Sequence, residues 1–393
     1  MVDLFFSFFY TLQMLNNLPL FAVFTWTTLT GPNIPTIQLK LREQSPSHLI
    51  QSEYDKFDIS VTVSVCDQIN ILHSTLNFKW ELYRHDLLYR RSDGNCSWSL
   101  NLPEETPFHL KLDIFSKERH IFTGSRSFET TRAHWTVAIG DSFSSGEGNP
   151  SKTGWINEKC HTSTNSFVYG AVETRRKLFP TSFLSLLSCS GASIDNGILE
   201  AKNTSQLDRL KKMVESRKTS PDSMILTIGG NDIGFSEIID VLRTDVTSSI
   251  LSSIDMRFFY VSYQLDRVGQ FLKSLNPTQV IIFPYYDVTR NEVGQIDASC
   301  GKFGAVTTEN LTFLEKKIWR RLNSLLKQKA AKFGWTFAKR VPILFQKHGV
   351  CSTDSYIRWE NESIVVQGDR LGHLHPNAKA HKVLSEYLLE LLN

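Results

Sequence analysis

Thr136-Val137-Ala138-Ile139-Gly140-Asp141-Ser142-Phe143-Ser144-Ser145-Gly146-Glu147-Gly148 is the stretch around which the chain is organised. Val137 to Ile139 is a short apolar run of the kind that forms a buried strand. It stops at a glycine and continues as polar, glycine-rich chain. A strand that ends this way at the carboxyl edge of a parallel sheet delivers its next residues to the usual ligand position, and the residue delivered is Ser142. The glycines on either side let the backbone approach a ligand closely. Gly-Asp-Ser is also common turn chemistry, so the weight of this serine depends on what later strand ends supply.

Outward from this stretch, short apolar segments alternate with segments of 3.6-residue periodicity. Strands are expected at 136–139, 183–187, 224–228 and 280–283. Helices are expected at about 166–178, 205–217, 308–332 and 376–392, with two more across 235–275. Pro376 is placed in the first turn of the last helix, where its missing N–H does no harm. Strands and helices in alternation predict a parallel sheet with helices on both faces, in a domain covering 134–393.

Residues 34–132 read differently. Apolar and polar residues alternate with period two at 57–65, 76–83 and 108–114, and turn residues such as Ser92-Asp93-Gly94-Asn95 separate the runs. This predicts a small antiparallel sandwich with no catalytic constellation of its own. Residues 1–30 are the most apolar part. Residues 18–24 could serve as the central segment of a signal peptide, although the flank before it carries Asp3 and no Lys or Arg; Met14 offers a shorter start. Asn16, Asn17 and Pro19 interrupt the run and argue against a membrane-spanning helix.

The six cysteines, at 66, 96, 160, 189, 300 and 351, are even in number and permit fifteen pairings. The simplest is sequential: Cys66–Cys96, Cys160–Cys189 and Cys300–Cys351. No Cys-x-x-Cys occurs, so neither a zinc nor a redox site is expected. Glycosylation sequons lie at Asn95, Asn203, Asn310 and Asn361. With the leader, these features predict a secreted, extracellular or lysosomal protein. The net charge of +3 is spread along the chain without a basic block, which argues against nucleic-acid binding.

Four places fall near the ends of successive elements: Gly140-Asp141-Ser142, Ser188-Cys189-Ser190-Gly191-Ala192, Ile228-Gly229-Gly230-Asn231-Asp232 and His373-Leu374-His375-Pro376-Asn377. Acyl transfer needs a nucleophile, a base within hydrogen-bond reach and donors for a developing oxyanion. Ser142 can supply the first and a histidine at the start of the last helix the second. The donors can be the backbone N–H groups of Ser142 and Gly191 and the Asn231 amide, which donates without titrating.

In order and spacing these four blocks resemble those of the GDSL/SGNH hydrolase family, most closely its secreted, disulfide-bearing bacterial-type esterases and lipases. The family's signature residues fall on Ser142, Gly191, Asn231 and His375. The resemblance covers about 134–393 and extends to the Gly-Asp-Ser-Phe-Ser-Ser-Gly-Glu-Gly-Asn-Pro run, to Cys160-His161 and to the Cys-Ser-Gly-Ala at 189–192. It implies a three-layer α/β/α fold preceded by a β-sandwich module of Ig/PKD-like type, as some relatives carry. It also implies a Cys160–Cys189 bridge and ester hydrolysis through a Ser142–His375 acyl-enzyme mechanism with neither metal nor cofactor. The substrate would be a lipid acyl or short-chain ester, with transient contact to a lipid surface.

The sequence departs from the family at one position. The acid usually found three residues before the histidine is here Gly372. Asp369, six residues before His375, is the candidate replacement, and a backbone carbonyl is the other. Of the remaining polar residues, Asp141 is read as capping its turn, Asp232 as fixing local structure, His373 as a loop residue and His161 as merely following its cysteine. Glu147 has no readable role, and Phe283-Pro284-Tyr285-Tyr286 is read as a strand end more than as an acyl groove. The gap at Gly372 keeps an inactive secreted binding protein open as one alternative to the esterase; no stretch decides the ester, which keeps a carbohydrate O-acetylesterase of the same fold open as the other. The α/β-hydrolase signature Gly-x-Ser-x-Gly is missing around the candidate serines.

Overall fold

The computed structural model describes residues 25–29, 37–68, 76–235, 237–238 and 247–393. The expected leader lies outside the described residues up to position 24, as does part of the helical region expected from 235. The chain divides into two compact units. The first comprises the described residues up to His134, apart from Leu49–Asp55, together with Thr174–Phe183; the second comprises Leu49–Asp55, Trp135–Glu173 and Leu184–Asn393.

The first unit contains β1 (Thr25–Leu29), β2 (Ile37–Gln44), β3 (Asp58–Ser64), β4 (Leu76–Arg84), β5 (Leu87–Asp93), β6 (Ser97–Pro103), β7 (Pro107–Ser116) and β8 (Arg119–Glu129). They form two four-stranded antiparallel sheets, ordered β1-β2-β3-β6 and β5-β4-β7-β8. β1 pairs with β2, so a stretch the sequence assigned to the leader belongs to the sandwich. Alternation places Ile59, Val61 and Val63 of β3, Phe78, Trp80 and Leu82 of β4, and Leu110 and Leu112 of β7 in the core. The indole of Trp80 is wholly buried and donates to the Asn95 carbonyl at 2.8 Å, which satisfies its N–H. The Cys66–Cys96 bridge closes the chain between β3 and β6.

Downstream come β9 (His134–Gly140), α1 (Ser142–Ser145), α2 (Phe167–Leu178), β10 (Ser182–Leu186), α3 (Gln206–Arg217), β11 (Ser223–Thr227), α4 (Thr247–Leu275), β12 (Gln279–Ile282), α5 (Thr308–Phe313), a π-helical turn (Leu314–Trp319), α6 (Arg320–Phe333), β13 (Thr336–Phe337), α7 (Val341–Leu344), α8 (Glu360–Gln367) and α9 (Ala378–Leu392). The sheet order is β10-β9-β11-β12-β13, and β9–β11, β11–β12 and β12–β13 pair in parallel. Helices flank it in a three-layer α/β/α arrangement. Val137, Ala138, Ile139, Met224, Ile225, Leu226, Ile281 and Ile282 are all fully buried, as a parallel sheet covered on both faces requires. After β9 the chain builds β10 on one side and then crosses to β11 on the other. The carboxyl end of β9 is therefore the topological switch point, where such sheets open a crevice.

Of the helical region expected across 235–275, Thr247–Leu275 is a helix of 29 residues, α4; Phe235, Glu237 and Ile238 are also helical, and the stretch between them and α4 lies outside the described residues. Gly269 of α4 is a packing contact, since a Cβ there would lie 2.3 Å from the ring of Phe333. One helix expectation changes: Pro376 does not enter the last helix. It precedes the N-cap Asn377, whose side chain accepts from the Ala380 N–H.

Replacing Trp80 by Ala removes the largest side chain of the sandwich core. It is expected to lower the stability of that unit by roughly 3–5 kcal/mol, read as a drop in the urea midpoint of its unfolding transition.

Candidate active site

The site is built where β9 stops. Gly140 has φ +151°, and a Cβ on it would lie 2.2 Å from the Thr227 carbonyl oxygen, so only glycine lets β9 end this close to β11. The side chain of Gln206 brackets the same residue, accepting from its N–H and donating to its carbonyl, each at 2.8 Å. Asp141 then caps α1 by accepting from the Phe143 N–H at 3.0 Å. Its other oxygen accepts from the Tyr285 hydroxyl, which itself accepts from the Gly230 N–H at 2.9 Å. Burial raises the Asp141 carboxyl to about 6 against these hydrogen bonds.

This cap leaves Ser142 as the first residue of α1, with its hydroxyl facing His375. Ser142 Oγ and His375 Nε2 are 2.7 Å apart. The other ring nitrogen, Nδ1, is 3.0 Å from the His373 carbonyl. A carbonyl can only accept, so Nδ1 carries the proton and Nε2 is the acceptor of the serine hydroxyl. Loss of water around the ring lowers the His375 pKa below the ordinary histidine value. The Glu147 charge and backbone contacts oppose that shift.

The short reach from His375 back to His373 depends on Leu374. It takes a left-handed conformation, φ +64°, which is strained for a leucine. Three hydrogen bonds hold it there. The Leu374 N–H donates to the Arg358 carbonyl at 3.0 Å, the Arg358 N–H donates to the His375 carbonyl at 2.8 Å, and the Tyr286 hydroxyl donates to the Leu374 carbonyl at 3.0 Å.

Asp369 is not brought to His375, which corrects the displaced-acid expectation. Gly368 ends α8 in a left-handed conformation, and the Asp369 carboxylate then accepts from the Leu371 N–H at 2.8 Å and from the Gln367 amide. It is a turn residue. The structure also gives a reason for glycine at 372. A Cβ there would lie 2.7 Å from the Gly148 Cα and 2.8 Å from the Ser363 Oγ. An aspartate at this position has nowhere to go.

The remaining expected residues do come together. Ser142, Gly191, Asn231 and His375 line one cavity of about 210 Å³. Gly191 has φ +76°, a backbone that favours glycine. Among the described residues no acceptor is found for the N–H groups of Ser142 and Gly191. Asn231 Nδ2 donates to the Ala192 carbonyl at 2.9 Å, which fixes the amide and leaves its second hydrogen available. Asp232 accepts from the Ile194 N–H at 2.8 Å, and burial pushes its carboxyl up to about 7.

Sequence reasoning understated three residues and missed one element. Tyr285 and Tyr286 form part of the cavity wall, beyond ending a strand. His161 does more than follow its cysteine, because its Nδ1 is 2.9 Å from the buried Glu147 carboxylate. The π-helical turn brings Ile318 and Trp319 to the cavity, where they join Phe235 and Leu322 in an apolar wall. Nothing in the 3.6-residue pattern of 308–332 marks the extra residue that such a turn inserts.

Cys160–Cys189 and Cys300–Cys351 are bonded along with Cys66–Cys96, and no cysteine is free. Of the sequons, Asn95, Asn203 and Asn361 are exposed. Asn310 is 6% exposed within α5, so no glycan can be attached there without opening the helix. Among the described residues no group of three or more His, Cys, Asp or Glu side chains could hold a metal ion. No described helix is long and apolar enough to cross a membrane.

The model of the GDSL-like lipase/acylhydrolase family matches residues 138–383. The chain belongs to this family. It is a carboxylic ester hydrolase of the GDSL type. A lipase of Streptomyces rimosus is 26% identical to it over 245 residues, covering 59% of this chain and 80% of that one. Lipase 1 of Streptomyces coelicolor is 26% identical over 230 residues, covering 57% and 76%. Among solved structures, an extracellular lipase from Streptomyces rimosus aligns with TM-score 0.49 and 22% identity, over 66% of this chain and 99% of that one.

Gly372→Asp, which restores an acid at the usual family position, is expected to damage the enzyme. The overpacked contact with Gly148 should cost about 1–3 kcal/mol, measured by denaturation, and esterase activity should fall. A Gly372→Asp protein with wild-type stability and a higher rate would show that the contact can yield.

Proposed function

We propose that this GDSL-type hydrolase cleaves esters of apolar acyl chains through a Ser142–His375 dyad whose imidazole is oriented by the His373 carbonyl. The observation that carries the reading is the 2.7 Å approach of Ser142 Oγ to His375 Nε2 beside an apolar cavity. Ser142 Oγ attacks the acyl carbon while its proton passes to Nε2. The carbonyl oxygen becomes an oxyanion facing the N–H groups of Ser142 and Gly191 and the Asn231 amide. Collapse of the tetrahedral species expels the alcohol, which takes the proton from Nε2. Water then attacks the acyl-enzyme by the same route, its proton passing through Nε2 to Ser142 Oγ as the acid leaves.

Phe235, Ile318, Trp319 and Leu322 supply the wall for an acyl chain. A longer acyl chain has more apolar surface than an acetyl group to bury against this wall, so the lining supports the lipase and esterase reading over a carbohydrate O-acetylesterase. The two Streptomyces relatives named as lipases support the same choice. Three disulfides and three exposed sequons support an oxidising, extracellular destination.

Hydrolysis of p-nitrophenyl esters tests the roles. Ser142→Ala is expected to lose activity and fluorophosphonate labelling together, whereas equal rates with wild type would sink the dyad. Asn231→Ala should lower kcat by about 10²–10³. kcat/KM is expected to rise from acetate to octanoate, and a maximum at acetate would remove the acyl chain from the cavity. The acid limb of kcat/KM should lie below the ordinary histidine value, because loss of water around the half-buried ring disfavours its charged form.

A further inference from the structure

Glu147 takes no part in the steps above. It is a carboxylate at 0% exposure, five residues after the nucleophile. A carboxylate persists in such a place only where donors surround it. Here His161 Nδ1 donates at 2.9 Å, Gln367 Nε2 at 2.8 Å and the Gly148 N–H at 3.3 Å, and the Ser190 hydroxyl bonds the same group. The donors are themselves fixed. The His161 ring stacks on Trp155 with centroids 4.4 Å apart, and the preceding Cys160 is bonded to Cys189.

The position of this carboxylate is as telling as its partners. The Glu147 N–H donates to the Ser142 carbonyl at 3.2 Å, which ties it to the nucleophile turn. Gln367 ends α8, immediately before the loop that carries His375. The next residue, Gly148, fills the space against Gly372 from which an acid would otherwise face the imidazole. Glu147 therefore sits where the nucleophile loop meets the base loop.

We propose that Glu147 supplies the negative charge that Gly372 cannot, as a positioning residue whose field stabilises the His375 imidazolium formed during each proton transfer. The proposal rests on the Ser142–His375 reading. No bond is made or broken at Glu147. The serine proton stops at Nε2, and the carboxylate stays ionised throughout. Burial is the largest influence on both groups. It lowers His375, opposed chiefly by Glu147. It acts to raise Glu147, but the His375 charge and then the Ser190, His161 and Gln367 hydrogen bonds outweigh it and hold this carboxyl below the ordinary range.

The other titratable groups near His375 are engaged elsewhere. Asp141 is bonded to Tyr285 and to the Phe143 N–H, Asp232 to the Ile194 N–H and Asp369 to the Leu371 N–H. Tyr286 donates to the Leu374 carbonyl, and Arg358 Nη2 donates to Asn149 Oδ1 at 2.8 Å. The His373 ring packs edge-on against Trp359. His381 accepts from the Phe167 N–H, and burial pushes its pKa down to about 3, so it carries no charge. Among the described residues, that leaves Glu147 as the carboxylate that answers the imidazolium.

The test is Glu147→Gln in the full chain, with kcat and KM measured against pH on a p-nitrophenyl ester. Removing the charge should lower plateau kcat by about tenfold with KM little changed, and should move the acid limb to lower pH. Glu147→Asp keeps the charge and should hold the limb at its wild-type position. A limb that stays in place in Glu147→Gln, or moves equally in Glu147→Asp, assigns Glu147 a packing role and overturns the proposal. Should Glu147→Gln fail to fold, Gln367→Met withdraws one donor from the carboxylate and changes its field at His375. There a displaced limb supports the proposal and an unmoved one overturns it. Failure of the dyad itself would look different: wild-type protein would then escape fluorophosphonate labelling, or Ser142→Ala would remain active.

Discussion

Gly148 and Gly372 meet backbone to backbone, and the placement of Ser142 against His375 depends on that contact. One belongs to the loop after Ser142, the other to the loop before His375, and a Cβ on Gly372 would lie 2.7 Å from the Gly148 Cα. The contact is reinforced on either side. The Asn149 amide donates to the Pro376 carbonyl at 2.7 Å, and Arg358 Nη2 donates to Asn149 Oδ1. Two segments more than 200 residues apart in sequence are thereby held close enough for a 2.7 Å hydrogen bond between Ser142 and His375. Contact this tight excludes a side chain at 372, so the closeness of the loops and the missing acid have one cause.

Much of this was legible in the chain. Apolar runs at 136–139, 183–187, 224–228 and 280–283 are the central strands, because a strand buried on both faces leaves a continuous apolar mark. Period-two alternation marked the sandwich for the converse reason. Ser142, Gly191, Asn231 and His375 could be picked out as candidates because each lies beside an element end, where turn chemistry stands out from the apolar runs. Asp369 and a backbone carbonyl stayed open as partners of His375 because sequence distance says nothing about which way a loop turns, and the left-handed Gly368 turns Asp369 toward Leu371. His161 and Glu147 could not be paired in advance, since the Cys160–Cys189 bridge and the Trp155 stack position the imidazole. The π-helical turn was invisible because one inserted residue barely disturbs a 3.6-residue pattern.

A backbone carbonyl orients an imidazole as well as a carboxylate can, since both accept from Nδ1. Its use has a structural cost. To aim the His373 carbonyl at a ring two residues away, Leu374 adopts a conformation that L-residues avoid, worth roughly 1–3 kcal/mol. Hydrogen bonds to Arg358 and Tyr286 on neighbouring segments retain it. Tyr286 also lines the cavity, so the group that stabilises the strained turn touches the space assigned to the acyl chain. Loop strain, base orientation and the pocket wall are coupled through one side chain.

What a carbonyl lacks is charge. It presents a dipole to Nδ1, whereas the imidazolium formed during proton transfer is a full cation in surroundings that burial has already made hostile to it. In a triad one carboxylate both orients the ring and balances its charge. Here the two tasks fall on different groups, with orientation from His373 and compensation, on the proposed reading, from Glu147. The separation explains an otherwise uneconomical feature, a fully buried glutamate wrapped in donors within the glycine-rich loop. The glycines on either side have φ +97° and +83°, so the loop can turn its one long acidic side chain inward. Glu147 thus follows from the same loop contact that makes Gly372 a glycine.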